Sequence, residues 1–272
     1  MKILVTGHDG FIGQNMVKYL TARGHEVEGY EYGKTDSAVS LKGFDAVIHL
    51  GAVSSTTETN VDKILERNLL FSIDLLAICN HMGVKFQYAS SASVYGPGPN
   101  FSESAAGQPK SLYAWSKYAF DQYIKAGNWK VPVQGFRYFN VYGDHEDHKG
   151  NQASPVTRFR KQARETGTIK VFKDSDKYFR DFVHVDDVCQ VHERLLYVNQ
   201  SGIWNVGTGS PRSFLQVAAA TAIKENAKIV EIEMPDQLKS QYQRYTKADR
   251  TRLDEVCSMD WTDVLDWIKT RE

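Results

Sequence analysis

The sequence has few cysteines and no surplus of charge of one sign. Its three cysteines, Cys79, Cys189 and Cys257, lie far apart and form no C-x-x-C pair. This argues against a disulfide framework or a zinc ribbon and suits a reducing compartment. Lysine plus arginine number 33, and aspartate plus glutamate also number 33. That balance gives no electrostatic reason to expect nucleic acid or an anionic membrane as the partner.

Long apolar runs are also missing. No stretch approaches the roughly 20 residues that a membrane-spanning helix needs. The first residues, MKILVTG, enter a strand-like apolar run without the pattern of a signal peptide. We therefore expect a cytoplasmic protein with no membrane partner.

Apolar runs of strand length alternate with helical patterns through the first half of the chain. Strands are predicted at 2–6, 27–30, 46–50, 84–89 and 133–137. Helices are predicted at 11–23, 60–82 and 112–126. This alternation predicts an α/β fold with a Rossmann-type doubly wound parallel sheet.

After about residue 140 the pattern changes to loops, short strands and helices, with candidate elements at 169–172, 186–198 and 214–225. We expect a smaller C-terminal α/β lobe that binds the substrate. The predicted domains are 1–140 for NAD(P) binding and 141–272 for the substrate, with the chain crossing between them.

A glycine-rich turn, VTGHDGFIGQN, follows the first strand. Gly7 can form the tight turn, Gly10 lets the backbone approach a pyrophosphate, and Gly13 permits close packing of helix on sheet. The helix N-terminus adds amide donors and a positive dipole. Such a turn alone is a weak signal, but its position between a strand and a helix predicts a dinucleotide site.

Glu31 ends the second strand, about 20 residues further along, where an acid can bind the hydroxyls of the adenosine ribose. This favours NAD. Lys34 is close enough to pair with a 2′-phosphate, which keeps NADP open. An ordinary loop acid is the alternative interpretation of Glu31.

Tyr113 and Lys117, in SLYAWSKYAF, are four residues apart and project from one face of a predicted helix. A lysine ammonium beside a phenol stabilises the phenolate, so we expect Lys117 to lower the pKa of Tyr113. Such a tyrosine can exchange a proton with a substrate hydroxyl while a hydride moves to a nicotinamide. The Ser91 hydroxyl, in YASSASVYG, would complete the hydrogen bonding to the reacting oxygen.

In this order the segments resemble the extended short-chain dehydrogenase/reductase, or NAD-dependent epimerase/dehydratase, family. The resemblance covers nearly the whole chain and rests on TGHDGFIG, DAVIHLGA, SSASVYG, YAWSK, GFRYFNVYG and RDFVHVDDV. It implies that the cofactor is contacted by Phe11, Ile12, Gly51, Ala52 and Asn68. It implies catalysis by Ser91, Tyr113 and Lys117, and a nucleotide diphosphate-sugar substrate that faces Asn140 and Arg180.

Within the family the chain is most similar to the epimerases that invert C6 of ADP-linked manno-heptoses, through GAVSSTTE, HKGNQAS, GIWNVGTG and MPDQLKSQYQRYT. That likeness implies a tightly held NADP, transient oxidation of C6 to a ketone, and return of the same hydride to the other face. It also implies two acid/base groups, Tyr113 and Lys149, and a substrate pocket that includes Asn151 and Tyr242.

The chain departs from that pattern in three places. The stretch between Glu31 and Ala46 is much shorter, which removes part of the wall on the adenine side. Arg158 replaces a histidine and Lys173 replaces an acid, so both add positive charge near the expected diphosphate-sugar site. We count Arg158 among the predicted substrate-binding residues. The sugar, the nucleotide and the choice between NAD and NADP stay open.

The segment GDHEDHKGNQ, residues 143–152, contains five potential metal ligands. Its H-x-x-H lies in a polar loop with no distant Cys/His partner, which is poor spacing for zinc, so we predict no metal. The acids and histidines are interpreted as a solvated loop. Lys149 is the candidate second acid/base, with its pKa lowered by desolvation and by the charges of Arg158 and Lys173.

Three alternatives to C6 epimerisation need different sets of residues. A 4,6-dehydratase is disfavoured because Ala92 and Ser93 follow Ser91, where dehydratases carry an Asp-Glu pair. A 4-epimerase or keto-sugar reductase needs only Tyr113, Lys117 and a cofactor, and is the main alternative. A non-enzymatic dinucleotide sensor has no need of the Ser–Tyr–Lys set. The resemblance also implies a homodimer, or a higher homo-oligomer, in which helices 60–82 and 112–126 pair across the dimer axis.

Overall fold

A parallel β-sheet forms the centre of the computed structural model, which describes residues 1–34, 39–105, 107–236 and 243–271. The strands in these ranges are β1 Lys2–Thr6, β2 Glu26–Tyr30, β3 Ala46–His49, β4 Lys85–Ser91, β5 Val133–Tyr138, β6 Asn140–Tyr142, β7 Thr168–Phe172, β8 Phe179–Arg180, β9 Phe182–His184, β10 Gly202–Val206, β11 Arg212–Ser213 and β12 Lys228–Ile232. Six of them form the central sheet in the order β10-β5-β4-β3-β1-β2, and every neighbouring pair is parallel.

Helices cover both faces of this sheet. They are α1 Phe11–Ala22, α2 Val61–Ile64, α3 Phe71–Met82, α4 Leu112–Ala126, α5 Pro155–Thr166, α6 Val185–Leu196, α7 Phe214–Glu225, and two C-terminal helices at Thr251–Asp254 and Val264–Thr270. A π-helical segment, Leu65–Leu70, joins α2 to α3. Short 3₁₀ turns occupy Ala92–Tyr95, Asp147–Gln152 and Ser175–Lys177. The predicted doubly wound α/β fold is confirmed.

Apolar side chains on the central strands face two helical layers. One cluster joins β3 and β4 to α3 and α4 through Val47, Phe86, Leu75, Leu76 and Phe120. A second cluster joins β1 to α1 and α6 through Ile3, Val5, Met16, Leu20 and Cys189. Both faces are covered, so strands such as β3 and β5 are buried throughout, as parallel strands generally are.

The strand order reverses beside β1, because the chain continues to β2 on one side and to β3 on the other. In open α/β sheets, ligands bind outside the carboxyl ends of the strands at such a switch point. Thr6 at the end of β1, His49 at the end of β3 and Ser91 at the end of β4 therefore mark one edge where a site can form.

The second half of the chain builds three two-stranded sheets: β6 with β9, β7 with β12 and β8 with β11. Their own core contains Val156, Phe159, Phe182 and Val217. The same half also returns to the central sheet, since β10 pairs with β5. The predicted division at residue 140 stays a prediction.

One detail differs from the sequence-based expectations. The predicted helix 60–82 contains the π-helical turn, in which Asn68 is buried. His184 is the N-cap of α6, and its Nδ1 accepts from the Asp186 backbone N–H at 3.3 Å, because the helix begins directly after β9. Across the described residues, no helix combines the length and apolarity needed to cross a membrane.

Candidate active site

The glycine turn has the geometry of a phosphate-binding cradle. Gly7 has φ +71°, and a Cβ there would lie 2.5 Å from the Gly51 backbone N. A Cβ on Gly13 would lie 2.0 Å from the Gly7 carbonyl oxygen. Gly10 is the N-cap of α1, and its N–H donates to the Gly7 carbonyl at 3.1 Å. The turn can therefore close only with glycine, and it leaves the N-terminus of α1 open to an anion.

Glu31 lies at the outer end of this turn. Its Oε1 accepts from the Asp9 backbone N–H at 2.8 Å, so the carboxylate is fixed against the turn. The Lys34 ammonium, which the sequence offered as a partner for a 2′-phosphate, donates to Asp9 Oδ2 at 2.5 Å. This end of the site therefore presents a carboxylate, and its nearby lysine is engaged with an acid.

A cavity of about 110 Å³ opens beside Glu31. It is lined by four predicted cofactor residues, Gly7, Glu31, Gly51 and Ala52, together with Thr6, Tyr32, Val53, Arg67 and Phe71. The cradle, the ribose-side carboxylate and this cavity fit the adenosine half of a dinucleotide. A larger open cleft of about 570 Å³, between residues 99–102, 208–210 and 245–254, contains none of the predicted site residues.

Asn68 connects the loop after β3 to α4, the helix that carries Tyr113 and Lys117. Its side chain accepts from the Val53 N–H at 2.7 Å and donates to the Ser116 hydroxyl at 3.1 Å. Ser116 in turn donates to the Tyr113 carbonyl at 2.8 Å. Asn68 is the buried residue of the π-helical segment. Such segments occur often at functional sites. Asn68 therefore links the loop after β3 to α4 through its side chain.

Ser91 and Tyr113 meet at the end of β4. The N–H of Ser93 and the hydroxyl of Ser93 both donate to Ser91 Oγ, at 3.2 and 2.9 Å. A hydroxyl has one proton and two acceptor sites, so Ser91 is left to donate its proton elsewhere. It forms a hydrogen bond with Tyr113 that lowers the pKa of the phenol. Ser93 was not among the predicted site residues. Its position two residues after Ser91, in SSASVYG, is the sequence signal that could have identified it.

The pKa of Tyr113 is nevertheless raised above its ordinary value, because burial of the phenolate outweighs the hydrogen bond from Ser91. The expectation that Lys117 lowers the pKa of Tyr113 is wrong for this structure. Lys117 is itself buried, and burial lowers its own pKa to about 8. The negative charge of Asp121 opposes this shift. The pKa of His49 falls to about 3, mainly through burial and secondarily through the charge of Lys117. Tyr113 is therefore a neutral phenol with a hydrogen bond from Ser91.

Lys149 reaches the glycine turn from the other half of the chain. Its Nζ lies 5.5 Å from the centroid of the Phe11 ring, at the start of α1. Burial lowers the pKa of Lys149, and the negative charge of Glu146 opposes that shift. The expected contributions of Arg158 and Lys173 are wrong: Arg158 is exposed, and Lys173 pairs with Glu233 at 3.6 Å. Desolvation alone lowers this pKa.

The five potential metal ligands of residues 144–148 do not converge. Asp144 pairs with Arg271, and Asp144, His145, Asp147 and His148 are exposed. Glu146 is only 2 % exposed, so the interpretation of the whole segment as solvated is wrong at that residue. Among the described residues, His8, Asp9 and Glu31 are close enough to share a cation. They lie at the outer end of the glycine turn.

The predicted substrate residues that the structure describes lie in the second half of the chain. Asn140 begins β6 and is half-buried. Arg180, in β8, is buried with its guanidinium 5.2 Å from the Phe214 ring centroid, and it also donates to the Phe179 carbonyl. Asn151 lies in the 3₁₀ turn, but its side chain and the whole of Tyr242 fall outside what the structure describes. The roles of these residues and of Arg158 stay predictions.

The fold and the site together define an NAD(P)-binding enzyme of the short-chain dehydrogenase/reductase class. Residues 3–207 match the model of the NAD dependent epimerase/dehydratase family, and the chain belongs to that family. The family resemblance expected from the sequence motifs is confirmed.

Individual relatives point in the same direction. The chain is 36% identical to the ADP-L-glycero-D-manno-heptose-6-epimerase of Brachyspira hyodysenteriae, over 92% of this chain and 90% of that protein. It is similar to the crystal structure of the Helicobacter pylori enzyme of that name, with a TM-score of 0.85, 25% identity and coverage of 98% and 94% of the two chains. It is also similar to UDP-glucose 4-epimerase from Thermus thermophilus in complex with NAD, with a TM-score of 0.73, 28% identity and coverage of 92% and 89%.

Proposed function

We propose that this protein is a nucleotide-sugar epimerase that inverts C6 of an ADP-linked manno-heptose. The observation that carries the proposal is the approach of two proton-transfer groups to the cofactor edge from separate halves of the chain. Tyr113 has a hydrogen bond from Ser91 at the end of β4, and Lys149 lies over Phe11 beside the glycine turn. In C6 inversion as proposed here, the ketone turns its opposite face to the cofactor between the two hydride transfers. Its oxygen then lies in two different places, and a separate proton-transfer group serves each place.

When bound, a nicotinamide dinucleotide would accept a hydride from the carbinol carbon and return it to the ketone. The residues proposed to hold it are Gly7, Gly10, Phe11, Ile12, Gly13, Glu31, Gly51, Ala52, Asn68, Tyr113 and Lys117. Lys149, with its lowered pKa, takes the hydroxyl proton as the carbinol is oxidised. Tyr113, a neutral phenol, gives its proton to the oxygen as the other face is reduced.

This assignment balances the protons of one turnover. After the turnover Lys149 holds the proton that the substrate lost, and Tyr113 has become a phenolate that Ser91 stabilises. That state is the starting point for the reverse reaction. A proton must pass from Lys149 to Tyr113 through solvent before the next turnover in the same direction. Asn140, Asn151, Arg158, Arg180 and Tyr242 are proposed to hold the sugar and its diphosphate.

We infer that the cofactor is NAD rather than NADP. A 2′-phosphate next to Glu31 would meet a carboxylate fixed by the Asp9 N–H, and Lys34 is already paired with Asp9. Like charges at this distance repel. Mass spectrometry of the nucleotide released on denaturation should find NAD, and Glu31→Ala should increase the share of NADP. Recovery of NADP from the wild-type protein would contradict the inference.

The main alternative is a 4-epimerase or a keto-sugar reductase, which requires Tyr113 and Lys117 but no second base. NMR of ADP-D-glycero-D-manno-heptose with the pure protein separates these functions. Inversion at C6 without added cofactor is expected. Turnover of UDP-hexoses but not of the heptose would identify a 4-epimerase, and a requirement for fresh NAD(P)H each turnover would identify a reductase.

Single substitutions test the two acid/base assignments. Tyr113→Phe and Lys149→Met should each lower kcat by about 10² to 10⁴. If Lys149→Met keeps full C6 epimerisation while Tyr113→Phe abolishes it, then the second acid/base is not Lys149.

We also propose a homodimer in the cytoplasm. Large apolar side chains are exposed on two helical stretches: Val61, Leu70, Ile78 and Met82 on α2 to α3, and Trp115 and Tyr123 on α4. A second copy of the chain would cover them. Sedimentation should give a dimer, and Leu70→Glu should shift it towards monomer. The three buried, free cysteines suit a reducing compartment.

A further inference from the structure

We propose that Glu146 is a positioning residue for Lys149: its buried carboxylate fastens the 144–154 segment to the N-terminus of α5 and thereby holds the lysine at the glycine turn. The proposal rests on the proposed function, because it gives Glu146 a purpose through a proton-transfer group. Neither the family motifs nor the catalytic set includes this residue.

The carboxylate of Glu146 is fully engaged with the start of α5. Its Oε1 accepts from the Ser154 N–H at 2.8 Å, and its Oε2 accepts from the Ser154 hydroxyl at 2.6 Å and the Thr157 hydroxyl at 2.5 Å. Ser154 is already the N-cap and accepts from the Thr157 N–H. Because Ser154 caps α5 without Glu146, helix capping does not explain why this carboxylate is buried.

The backbone links this anchor to Lys149. The Lys149 N–H donates to the Glu146 carbonyl at 2.9 Å and closes the 3₁₀ turn between them. The other end of the segment is held by Asn15, whose Nδ2 donates to the Asp144 carbonyl at 2.8 Å. Asn15 lies one turn along α1 from Phe11, the ring under the Lys149 ammonium. The segment is therefore tied to α1 at one end and to α5 at the other, with Lys149 between.

The charge of Glu146 also acts on Lys149, in addition to the contacts that hold the segment. Among the described residues, Glu146 is the charged group that acts on Lys149, and it raises a pKa that burial lowers. The arginines on the neighbouring elements act elsewhere. Arg271 pairs with Asp144, and Arg160 lies 3.7 Å from Glu225. The other titratable groups of the segment, Asp144, His145, Asp147 and His148, are exposed.

The test is the pH dependence of Lys149 labelling by a water-soluble amine-reactive reagent, followed by mass spectrometry of its peptide in the full chain. Only the neutral amine reacts. Glu146→Gln keeps the size of the side chain but removes its charge, so the labelling profile should move to lower pH. The rate at pH 7 should rise by about threefold or more. Asp147→Asn, the same change at an exposed acid of the segment, should leave the profile in place.

A second variant covers the case in which Glu146→Gln does not fold. Thr157→Val removes the hydroxyl that donates to the carboxylate and leaves its charge, so the segment loosens and Lys149 should label faster. An unchanged profile in folded Glu146→Gln, or an unchanged rate in Thr157→Val when the first variant is unfolded, overturns the proposal.

The kinetic readout separates this proposal from the proposed function. If Lys149 is the second acid/base, kcat of Glu146→Gln should fall by about tenfold with little change in KM, and its pH optimum should move to lower pH. Full activity of Lys149→Met would end the proposed role of Lys149. The labelling profile would still decide whether Glu146 positions it.

Discussion

Lys117→Met should stabilise the protein while it abolishes activity. Lys117 is 5 % exposed, and burial lowers the pKa of its ammonium from 10.5 to about 8. That difference corresponds to about 3 kcal/mol of unfavourable free energy for the charged form. Methionine has a similar length and no charge. We therefore expect the free energy of unfolding at pH 7 to rise by about 2 to 3 kcal/mol, less any packing mismatch.

The sign of the pH dependence follows from the same values. Below pH 8 the lysine is protonated in both states, so the full cost of burying its charge is present. Between pH 8 and 10.5 the unfolded chain still holds a proton that the folded protein has lost, so wild-type stability should rise with pH through this window. Lys117→Met has no such group and should lack that rise.

The assay is urea unfolding at pH 7 and at pH 9.5, with turnover measured on the same samples. Lys110→Met is the control, since Lys110 is exposed just before α4 and should change neither quantity. A Lys117→Met protein that is no more stable than wild type at pH 7 would refute the reasoning. So would an equal rise in stability with pH for the two proteins.

Two further substitutions test the geometry of the site. Ser93→Ala removes one of the two donors to Ser91, so kcat should fall by about tenfold and the limb of the pH–rate profile that reports Tyr113 should move to higher pH. Ser93→Thr should restore both kcat and the position of that limb. An unmoved limb in Ser93→Ala would contradict the role of this hydrogen bond. Gly13→Ala places a Cβ 2.0 Å from the Gly7 carbonyl oxygen, so it should cost about 3 kcal/mol of stability and most of the bound dinucleotide. Gly98→Ala, where a Cβ meets open space, should change neither stability nor cofactor content. Normal cofactor content in Gly13→Ala would show that the turn can accommodate a Cβ at this position.

Local patterns predicted the fold because each depends on neighbours in the chain. The bounds of α4 follow from Ser111, which accepts from the Ala114 N–H, and from Gly127 after its last turn. The glycine turn and the Y-x-x-x-K spacing likewise fix geometry within a few residues. The central sheet and the cofactor cradle could therefore be predicted from the sequence.

The electrostatics of the site could not be predicted in this way. Distant segments that cover α4 bury Lys117 and desolvate the Tyr113 phenol, so spacing alone gave the wrong direction for the pKa of Tyr113. Glu146 lies among polar residues in the sequence, and its burial depends on Ser154 and Thr157, which α5 brings to it. The π-helical turn at Asn68 also lacks a local sequence signal.

The most direct test of the proposed function is epimerisation of ADP-D-glycero-D-manno-heptose in D₂O, without added cofactor, followed by NMR at C6. If the hydride removed from C6 returns to C6, the inverted product keeps protium at that carbon through many turnovers. Deuterium at C6 would mean that the carbon exchanges its hydrogen with solvent, and it would contradict inversion by hydride return. Absence of inversion would contradict the assignment of this substrate.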